Sequence, residues 1–303
     1  MSPTKIGRQM EDLPHEVKLS NYFRMGATMK NLHYFEDQSY KLHLIDIERL
    51  HYAEAIKEKG PEIFKTVDLD IDFKIPQGHA SIMTPNGQLF LIGGDGSNRT
   101  YEYDYYHKTL VKRRDMKIHR WGHGVCYAND FIYAIGGRSQ ECERYSVKRD
   151  QWESIAKMAG IVTCPTVCVF KNAYIYRFGG LSSNTIEKYT MEFDEWKLVD
   201  VKNPYMGPMQ IELFNQTETV QINDTHILLF GGRGCHEATI FQIPEKKAGD
   251  KEYAIHKEVI DMPGEMLFFG AKNMIAFDNH IYTVTSNGKR LVRYSEKKKL
   301  EFL

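Results

Sequence analysis

The chain lacks a net charge of either sign. Its 303 residues include 40 lysine and arginine residues and 40 aspartate and glutamate residues. Without an overall positive field, nothing attracts the chain generally to nucleic acid or to an anionic membrane surface. We therefore expect that it binds no nucleic acid and does not insert into a membrane.

Cysteine is scarce, and long apolar runs are missing. Five cysteines are an odd number in a chain much longer than a disulfide-stapled secreted domain, which favours free thiols in a reducing compartment. No stretch approaches the roughly 18 apolar residues of a membrane span, and the first residues contain no signal-peptide core. These absences predict an intracellular, cytoplasmic protein, and they are compatible with association with the cytoskeleton or an organelle.

What the sequence does contain is a glycine pair that recurs four times, each time after a four-residue apolar run. The pairs are Gly93-Gly94, Gly136-Gly137, Gly179-Gly180 and Gly231-Gly232. The first glycines of successive pairs are 43, 43 and 52 residues apart. A spacing in this range indicates a solenoid or a propeller built from repeated units.

The unit around Gly136-Gly137 predicts four short antiparallel strands. They are expected at residues 123–128, 131–135, 143–147 and 151–155, with turn residues between them. The second strand is apolar at consecutive positions, which indicates that neighbouring sheets cover both of its faces. A glycine pair suits the sharp turn that follows, because glycine tolerates positive φ and close backbone packing.

The repeat resembles that of the kelch family, in which a tyrosine and a tryptophan follow the Gly-Gly pair at set distances. Tyr145 and Trp152 are seven residues apart, and so are Tyr189 and Trp196. The family's Arg-x-x-His entry to the innermost strand is present once in full, from Arg120 to His123. The resemblance implies an all-β, six-bladed kelch-type β-propeller with four antiparallel strands in each blade.

The resemblance covers nearly the whole chain and implies one propeller over residues 21–303. Residues 1–20 are expected to form either an N-terminal tail or a segment that latches the ring. Glu36-Asp37 and Thr285-Ser286 stand where the first and last blades should carry glycine pairs. The blades are expected at about residues 21–73, 74–117, 118–160, 161–210, 211–263 and 264–303. The first of them contains a charged, helix-prone insertion at residues 48–61.

No set of residues predicts catalysis or the binding of a metal or cofactor. His119 and His123 lie at a strand start without the glutamate of a zinc protease, so structural or loop roles are favoured. Cys164 and Cys168 lack a second ligand pair nearby in sequence. We therefore predict a protein that is not an enzyme. The alternative is a propeller enzyme, possessing an epimerase-like activity, that acts on a small ligand at the channel mouth.

Arg177 is a charged residue in an otherwise apolar second strand. The other repeats place Leu91, Ala134 and Leu229 at this position. A charge there needs either a buried partner or access to a water-filled channel. Both a structural ion pair and a channel-lining contact satisfy this requirement.

In an antiparallel blade, the turn from the second to the third strand shares a face with the link to the next blade. We call this the loop face. The kelch resemblance implies that partners bind there, and arginine and aromatic residues are enriched in protein interfaces. The predicted partner-binding residues are Arg99, Arg113, Arg114, Arg120, Trp121, Arg138, Tyr205, Met206, Arg233, His236, Lys289 and Arg290.

The expected ligand is an acidic peptide or protein surface, because guanidinium binds carboxylate through two parallel hydrogen bonds. The sequence therefore predicts a protein–protein interaction scaffold within a multi-subunit assembly, whether cytoskeletal, organellar or ligase-associated. No BTB, BACK or complete F-box segment is recognisable, so we expect recruitment of a ubiquitin ligase to need a separate subunit.

Overall fold

The structure is a computed structural model. It describes residues 31–181, 183–202, 218–230, 237–245, 253–261, 275–277, 280–284, 291–295 and 299–303. These ranges contain 23 strands and one helix. The strands form antiparallel sheets that follow one another along the chain, which confirms the predicted all-β, six-bladed propeller.

Blade one shows three strands within the described ranges, and it contains the helix. Its elements are β1 (Asn31–Phe35), β2 (Lys41–Asp46), α1 (Ile47–Ala55) and β3 (Phe64–Asp68). Residues 21–30, the start of the first predicted blade, lie outside the described residues, as does the predicted tail at 1–20. The helix occupies the insertion between β2 and β3, where the sequence predicted helix-prone character.

Blades two, three and four each contain four consecutive strands. Blade two comprises β4 (Ala80–Met83), β5 (Leu89–Ile92), β6 (Thr100–Asp104) and β7 (Thr109–Lys112). Blade three comprises β8 (Gly124–Ala128), β9 (Phe131–Ile135), β10 (Cys142–Ser146) and β11 (Gln151–Ile155). Blade four comprises β12 (Thr166–Phe170), β13 (Tyr174–Phe178), β14 (Ile186–Thr190) and β15 (Glu195–Lys202).

The last two blades repeat the same order of strands. Blade five comprises β16 (Glu218–Gln221), β17 (His226–Phe230), β18 (Glu237–Gln242) and β19 (Tyr253–Asp261). Blade six comprises β20 (Ile275–Phe277), β21 (His280–Val284), β22 (Leu291–Ser295) and β23 (Lys299–Phe302).

Blades four and five are also joined at their outer edges. β15 and β19 are eight and nine residues long, and they pair in parallel over Asp200–Lys202 and Tyr253–Ile255. The two blades therefore form one continuous eight-stranded sheet. This pairing covers two strand edges that would otherwise be open to solvent.

Six apolar clusters lie between consecutive blades, and together they show that the ring is closed. Five of them join blades one to six in chain order. In the sixth, Tyr282 and Leu291 of blade six pack with Leu32, Ile45 and Leu50 of blade one. Each blade thus buries both of its faces against its neighbours, which explains the apolar second strands.

Helix α1 supplies much of the contact between the first and last blades. The Asp46 carboxylate caps it by accepting a hydrogen bond from the Arg49 amide at 2.8 Å. One face of the helix is buried, and two polar contacts flank that face. His51 hydrogen-bonds the Tyr282 hydroxyl, and the Glu54 carboxylate lies 2.9 Å from the Arg293 guanidinium. The insertion therefore helps to close the ring.

Replacing Leu50 with alanine tests this contact. Leu50 is buried between blades one and six, so Leu50→Ala should lower the free energy of unfolding by about 2–5 kcal/mol. The control is Tyr52→Ala on the same helix, where a 61% exposed side chain should contribute only about 0.5 kcal/mol. Urea unfolding measures both, and equal losses would contradict the role given to the helix.

In the repeat, the tyrosine binds the preceding blade through an aspartate, and the tryptophan binds that blade directly. In blade three, the Tyr145 hydroxyl donates to Asp150 Oδ1 at 2.6 Å, and the two rings, Tyr145 and Trp152, lie 5.2 Å apart. The Arg114 amide donates to the same Asp150 oxygen at 2.9 Å, and Trp152 Nε1 donates to the Arg114 carbonyl at 3.0 Å. Arg114 follows the outer strand of blade two, so this set of bonds joins the two blades.

Blade four repeats these bonds. The Tyr189 hydroxyl donates to Asp194 Oδ1 at 2.8 Å, and this oxygen also accepts from the Ala156 amide at 2.7 Å. Trp196 Nε1 completes the set by donating to the Ala156 carbonyl at 2.9 Å. The aspartate five residues after each tyrosine is therefore a third member of the motif, and it was not among the predicted structural residues.

The Asp150 contact should make stability depend on pH. Burial acts to raise the pKa of Asp150, but the bonds from Tyr145 and the Arg114 amide, together with the charges of Arg113 and Arg114, outweigh it and lower the pKa below its usual value. A carboxylate with a lowered pKa in the folded state stabilises the fold at neutral pH, and this contribution is lost as the carboxylate protonates in acid.

Asp150→Asn should therefore destabilise the protein most near pH 7, and the difference from wild type should shrink below about pH 4. Urea unfolding over a pH series measures this difference, with the exposed Asp70→Asn as the control. A difference that stays constant across the series would contradict the interpretation.

Candidate partner-binding face

The loop face of blades two and three is a continuous surface. Asp95 N donates to the Gln77 carbonyl at 2.9 Å, and Gly94 N donates to the Arg120 carbonyl at 2.9 Å. Gly122 N reaches the Gly78 carbonyl at 2.8 Å. These bonds bring the links at residues 76–79 and 117–122 beside the turn at residues 93–99.

Trp121 and Arg138 form a cation–π pair on this face. The Arg138 guanidinium lies 4.5 Å from the centre of the Trp121 ring. Arg138 is exposed, and Trp121 is half-buried because its indole rests against Gly78. The structure thus brings together two of the predicted partner-binding residues, which come from a link and a turn.

Arg120 was predicted on the exposed loop face, and that prediction is wrong. Its side chain is fully buried and lies 2.8 Å from the Glu143 carboxylate. The interior of blade three supplies acceptors that the sequence pattern does not reveal. Arg120 therefore holds the face from below and is not available to a partner.

Arg113 and Arg114 do not lie beside Arg138 on the loop face. The Arg113 guanidinium makes two hydrogen bonds to Glu102 Oε2, at 2.9 and 2.6 Å. The Arg114 amide contacts Asp150, in the turn at the opposite end of β10 from Arg138. The start of the link between blades two and three thus lies towards the outside of the ring, because each blade twists from its inner to its outer strand.

Arg99 is exposed at the end of the turn in blade two. Its guanidinium donates to the Tyr101 hydroxyl at 3.2 Å. That hydrogen bond raises the pKa of Arg99, and the Asp115 and Asp72 carboxylates add to the effect. The charge of Arg99 is therefore partly balanced by carboxylates of the same chain.

Comparison with known proteins identifies relatives of this repeat. Kelch-like protein 15 from Gallus gallus is 26% identical over 126 residues, covering 37% of this chain and 26% of that protein. Kelch repeat and BTB domain-containing protein 2 from Ectromelia virus (strain Moscow) is 33% identical over 90 residues, covering 27% of this chain and 16% of that protein. The chain is a kelch-repeat β-propeller.

A further relative of the kelch propeller is alpha-scruin from Limulus polyphemus, which is 30% identical over 95 residues. That match covers 29% of this chain and 10% of alpha-scruin. The matched segments thus span 26% or less of the length of these three relatives. No family model matches the chain. Within the described ranges, no helix is long and apolar enough to cross a membrane.

The remaining predicted residues of the face fall on parts of the propeller that the structure does not describe. They are Tyr205, Met206, Arg233, His236, Lys289 and Arg290. The same is true of the fourth glycine pair, Gly231-Gly232, and of Thr285-Ser286. For these positions the sequence prediction stands as a prediction.

The three described glycine pairs need glycine at both positions. Gly93, Gly94, Gly136, Gly137, Gly179 and Gly180 all have positive φ. A Cβ on Gly137 would lie 2.7 Å from the Cβ of His123, and one on Gly94 would lie 2.4 Å from the Cβ of Pro76. The pairs therefore let each turn pass close to the link that enters the innermost strand.

The two histidines with i, i+4 spacing have different environments. His123 is buried beneath Gly137, and His119 is exposed with its Nδ1 2.8 Å from the Gly96 carbonyl. Cys164 and Cys168 are buried free thiols, and burial raises the pKa of Cys168 to about 12. Among the residues that the structure describes, no three His, Cys, Asp or Glu side chains are grouped to hold a metal ion.

Arg177 forms the buried ion pair that was one of its two predicted roles. The side chain is fully buried in β13, and its guanidinium binds the carboxylate of Glu187 on β14. Burial lowers the pKa of Arg177, and Glu187 partly offsets that effect. Arg177 is therefore a structural residue of blade four.

Gly78 should be essential to the packing of the Trp121 indole beside Arg138. A Cβ at this position would lie 2.4 Å from Trp121 Nε1, so Gly78→Ala should displace the indole from Arg138 and change the tryptophan emission. Gly60→Ala is the control, because Gly60 has nearly the same φ but open space around it.

Gly60→Ala should lower the free energy of unfolding, measured in urea, by only the left-handed backbone strain of about 1–2 kcal/mol. Gly78→Ala should cost more than that. Equal stability losses, or unchanged emission from Gly78→Ala, would contradict the contact.

Proposed function

We propose that this kelch propeller is a non-enzymatic scaffold that binds a protein partner through its loop face, in a multi-subunit intracellular assembly. The observation that carries the proposal is the pair of Trp121 and Arg138, which offers an aromatic surface and an exposed guanidinium side by side. Tryptophan and arginine are among the residues enriched in interface hot spots.

The charge environment of Arg138 favours an acidic ligand. Arg113 is engaged by Glu102, and Arg99 lies near two aspartates. In contrast, Arg138 forms no ion pair with any residue that the structure describes. A carboxylate of a partner would therefore find a guanidinium whose charge is not already neutralised, and the fork of donors would bind it with defined geometry.

The packing of Trp121 also supports a binding role. Its indole rests on Gly78, while Arg138 covers the ring at 4.5 Å. Holding both side chains in place before binding reduces the entropy lost when a partner docks. A rigid anchor of this kind suits a short peptide or a protruding loop.

The kelch relatives support an interaction protein, but they do not identify the assembly to which it belongs. We infer that the partner belongs to a cytoskeletal, organellar or ligase-associated complex in the cytoplasm. The alternative is a propeller enzyme with a small ligand at the channel mouth. His79 and His123, at the entries to the innermost strands, are both buried, so neither offers an exposed acid or base that favours this alternative.

Selection of a displayed library of random short peptides on the propeller tests the proposed function. The enriched peptides should be acidic, and Arg138→Glu should weaken their binding by about tenfold or more, because a charge-assisted contact becomes a repulsion. Trp121→Ala should also weaken binding. Fluorescence anisotropy of a labelled enriched peptide measures each affinity.

Lys148→Glu is the matched control, because it makes the same charge change on blade three. Lys148 is exposed in the turn between β10 and β11, at the other end of β10 from Arg138. Its reversal should leave peptide affinity nearly unchanged. Equal weakening by both reversals, or enrichment of peptides without acidic residues, would contradict the proposal.

A further inference from the structure

The turn that carries Arg138 is held from below by one buried guanidinium. Arg120 Nη1 donates to the Gly136 carbonyl at 2.6 Å and to the Glu141 carbonyl at 2.7 Å. Arg120 Nη2 donates to Glu143 Oε1 at 2.8 Å. Gly136 and Glu141 are the two ends of the turn between β9 and β10, so a single side chain ties both ends together.

Blade four has the same arrangement around its own turn. Arg177 Nη1 donates to the Gly179 carbonyl at 3.0 Å and to the Thr185 carbonyl at 2.9 Å, and Nη2 binds the Glu187 carboxylate. Gly179 is the first glycine of its pair, as Gly136 is. Thr185 directly precedes the third strand, as Glu141 does. The three acceptors are therefore equivalent in the two blades.

The two arginines come from different places in the repeat. Arg120 lies in the link before blade three, where blade four has Thr163, whereas Arg177 lies in the second strand, where blade three has Ala134. The strand registers agree, because Arg177 is opposite Glu187 and Ala134 is opposite Glu143. What the two blades share is thus the position of the guanidinium and not the position of the residue.

We propose that Arg120 and Arg177 are positioning residues, each acting as a clasp that closes the turn of its blade and keeps the loop face ready for a partner. This inference rests on the proposed function of that face. Neither arginine touches a partner, because both are fully buried. They act through the residues above them, and in blade three the residue above is Arg138.

A guanidinium suits this task better than an ammonium group. It is planar and always charged, and its fixed fork of donors can reach several acceptors at once. Without it, two backbone carbonyls and the buried carboxylate of Glu143 or Glu187 would lose a donor, and hydrogen bonds to charged groups contribute more to stability than neutral ones do. Lysine has a compact charge and cannot reproduce the fork.

The test compares Arg120→Thr with Arg120→Thr/Ala134→Arg, which gives blade three the arrangement of blade four. Hydrogen–deuterium exchange of the amides at 137–141 should be about 10- to 100-fold faster in the single variant, because bonds to a charged group are lost. The double variant should restore slow exchange. Arg144→Thr, which removes a half-exposed arginine from the same blade, should leave this turn unchanged.

Binding of an acidic peptide selected on the wild-type propeller gives a second measurement. Affinity should fall by about tenfold in Arg120→Thr, since the turn must then be ordered on binding, and should return in the double variant. Arg120→Lys keeps the charge at position 120 and serves if the threonine variant does not fold. Arg120→Lys should speed amide exchange in the turn and lower peptide affinity, as Arg120→Thr does.

Amide exchange at the wild-type rate in both Arg120→Thr and Arg120→Lys would overturn the proposal. So would a loosened turn with unchanged peptide affinity, because the clasp would then not serve binding. If no acidic peptide binds the wild type, the proposed function fails, while faster exchange in the variants would still establish the clasp.

Discussion

The whole structure depends on the need of each blade to bury both of its faces against neighbours. A four-stranded sheet with an apolar second strand is not stable alone, so every blade requires the next one, and the ring must close. The close approach this demands is visible at Gly124, where a Cβ would lie 2.8 Å from a methyl group of Val167 on the neighbouring innermost strand. Small residues therefore appear where the blades converge.

Every boundary between blades meets this requirement with an apolar contact, but the polar contacts around it differ from one boundary to the next. Between blades two and three and between blades three and four, a tyrosine, an aspartate and a tryptophan bind the preceding blade. Between blades four and five, the outer strands pair directly. Between blades six and one, helix α1 contacts Tyr282 and Arg293. The apolar contact is common to all six boundaries, whereas the polar contacts around it vary.

The sequence predicted what is encoded locally. β5 and β9 fall on predicted apolar runs, because a strand buried on both faces is apolar at every position. The docking of helix α1 was not predictable, since its partners lie more than 200 residues away in the chain. Arg120 was misplaced for a related reason. Loop arginines are usually exposed, and two of its three acceptors are backbone carbonyls, which leave no trace in the sequence.

The count of arginines in the loops is therefore a poor guide to which guanidinium groups are exposed on the loop face. Arg120 and Arg138 lie 18 positions apart on one face, yet one is buried below the turn and the other is exposed above it. A fully buried guanidinium whose terminal nitrogens already bind three acceptors has no donor within reach of a ligand. An exposed guanidinium on an aromatic ring keeps its donors free for a carboxylate. The proposed recognition therefore depends on Arg138, whose guanidinium pairs with no carboxylate among the residues that the structure describes, and on Arg120, which ties together the two ends of the turn beneath it.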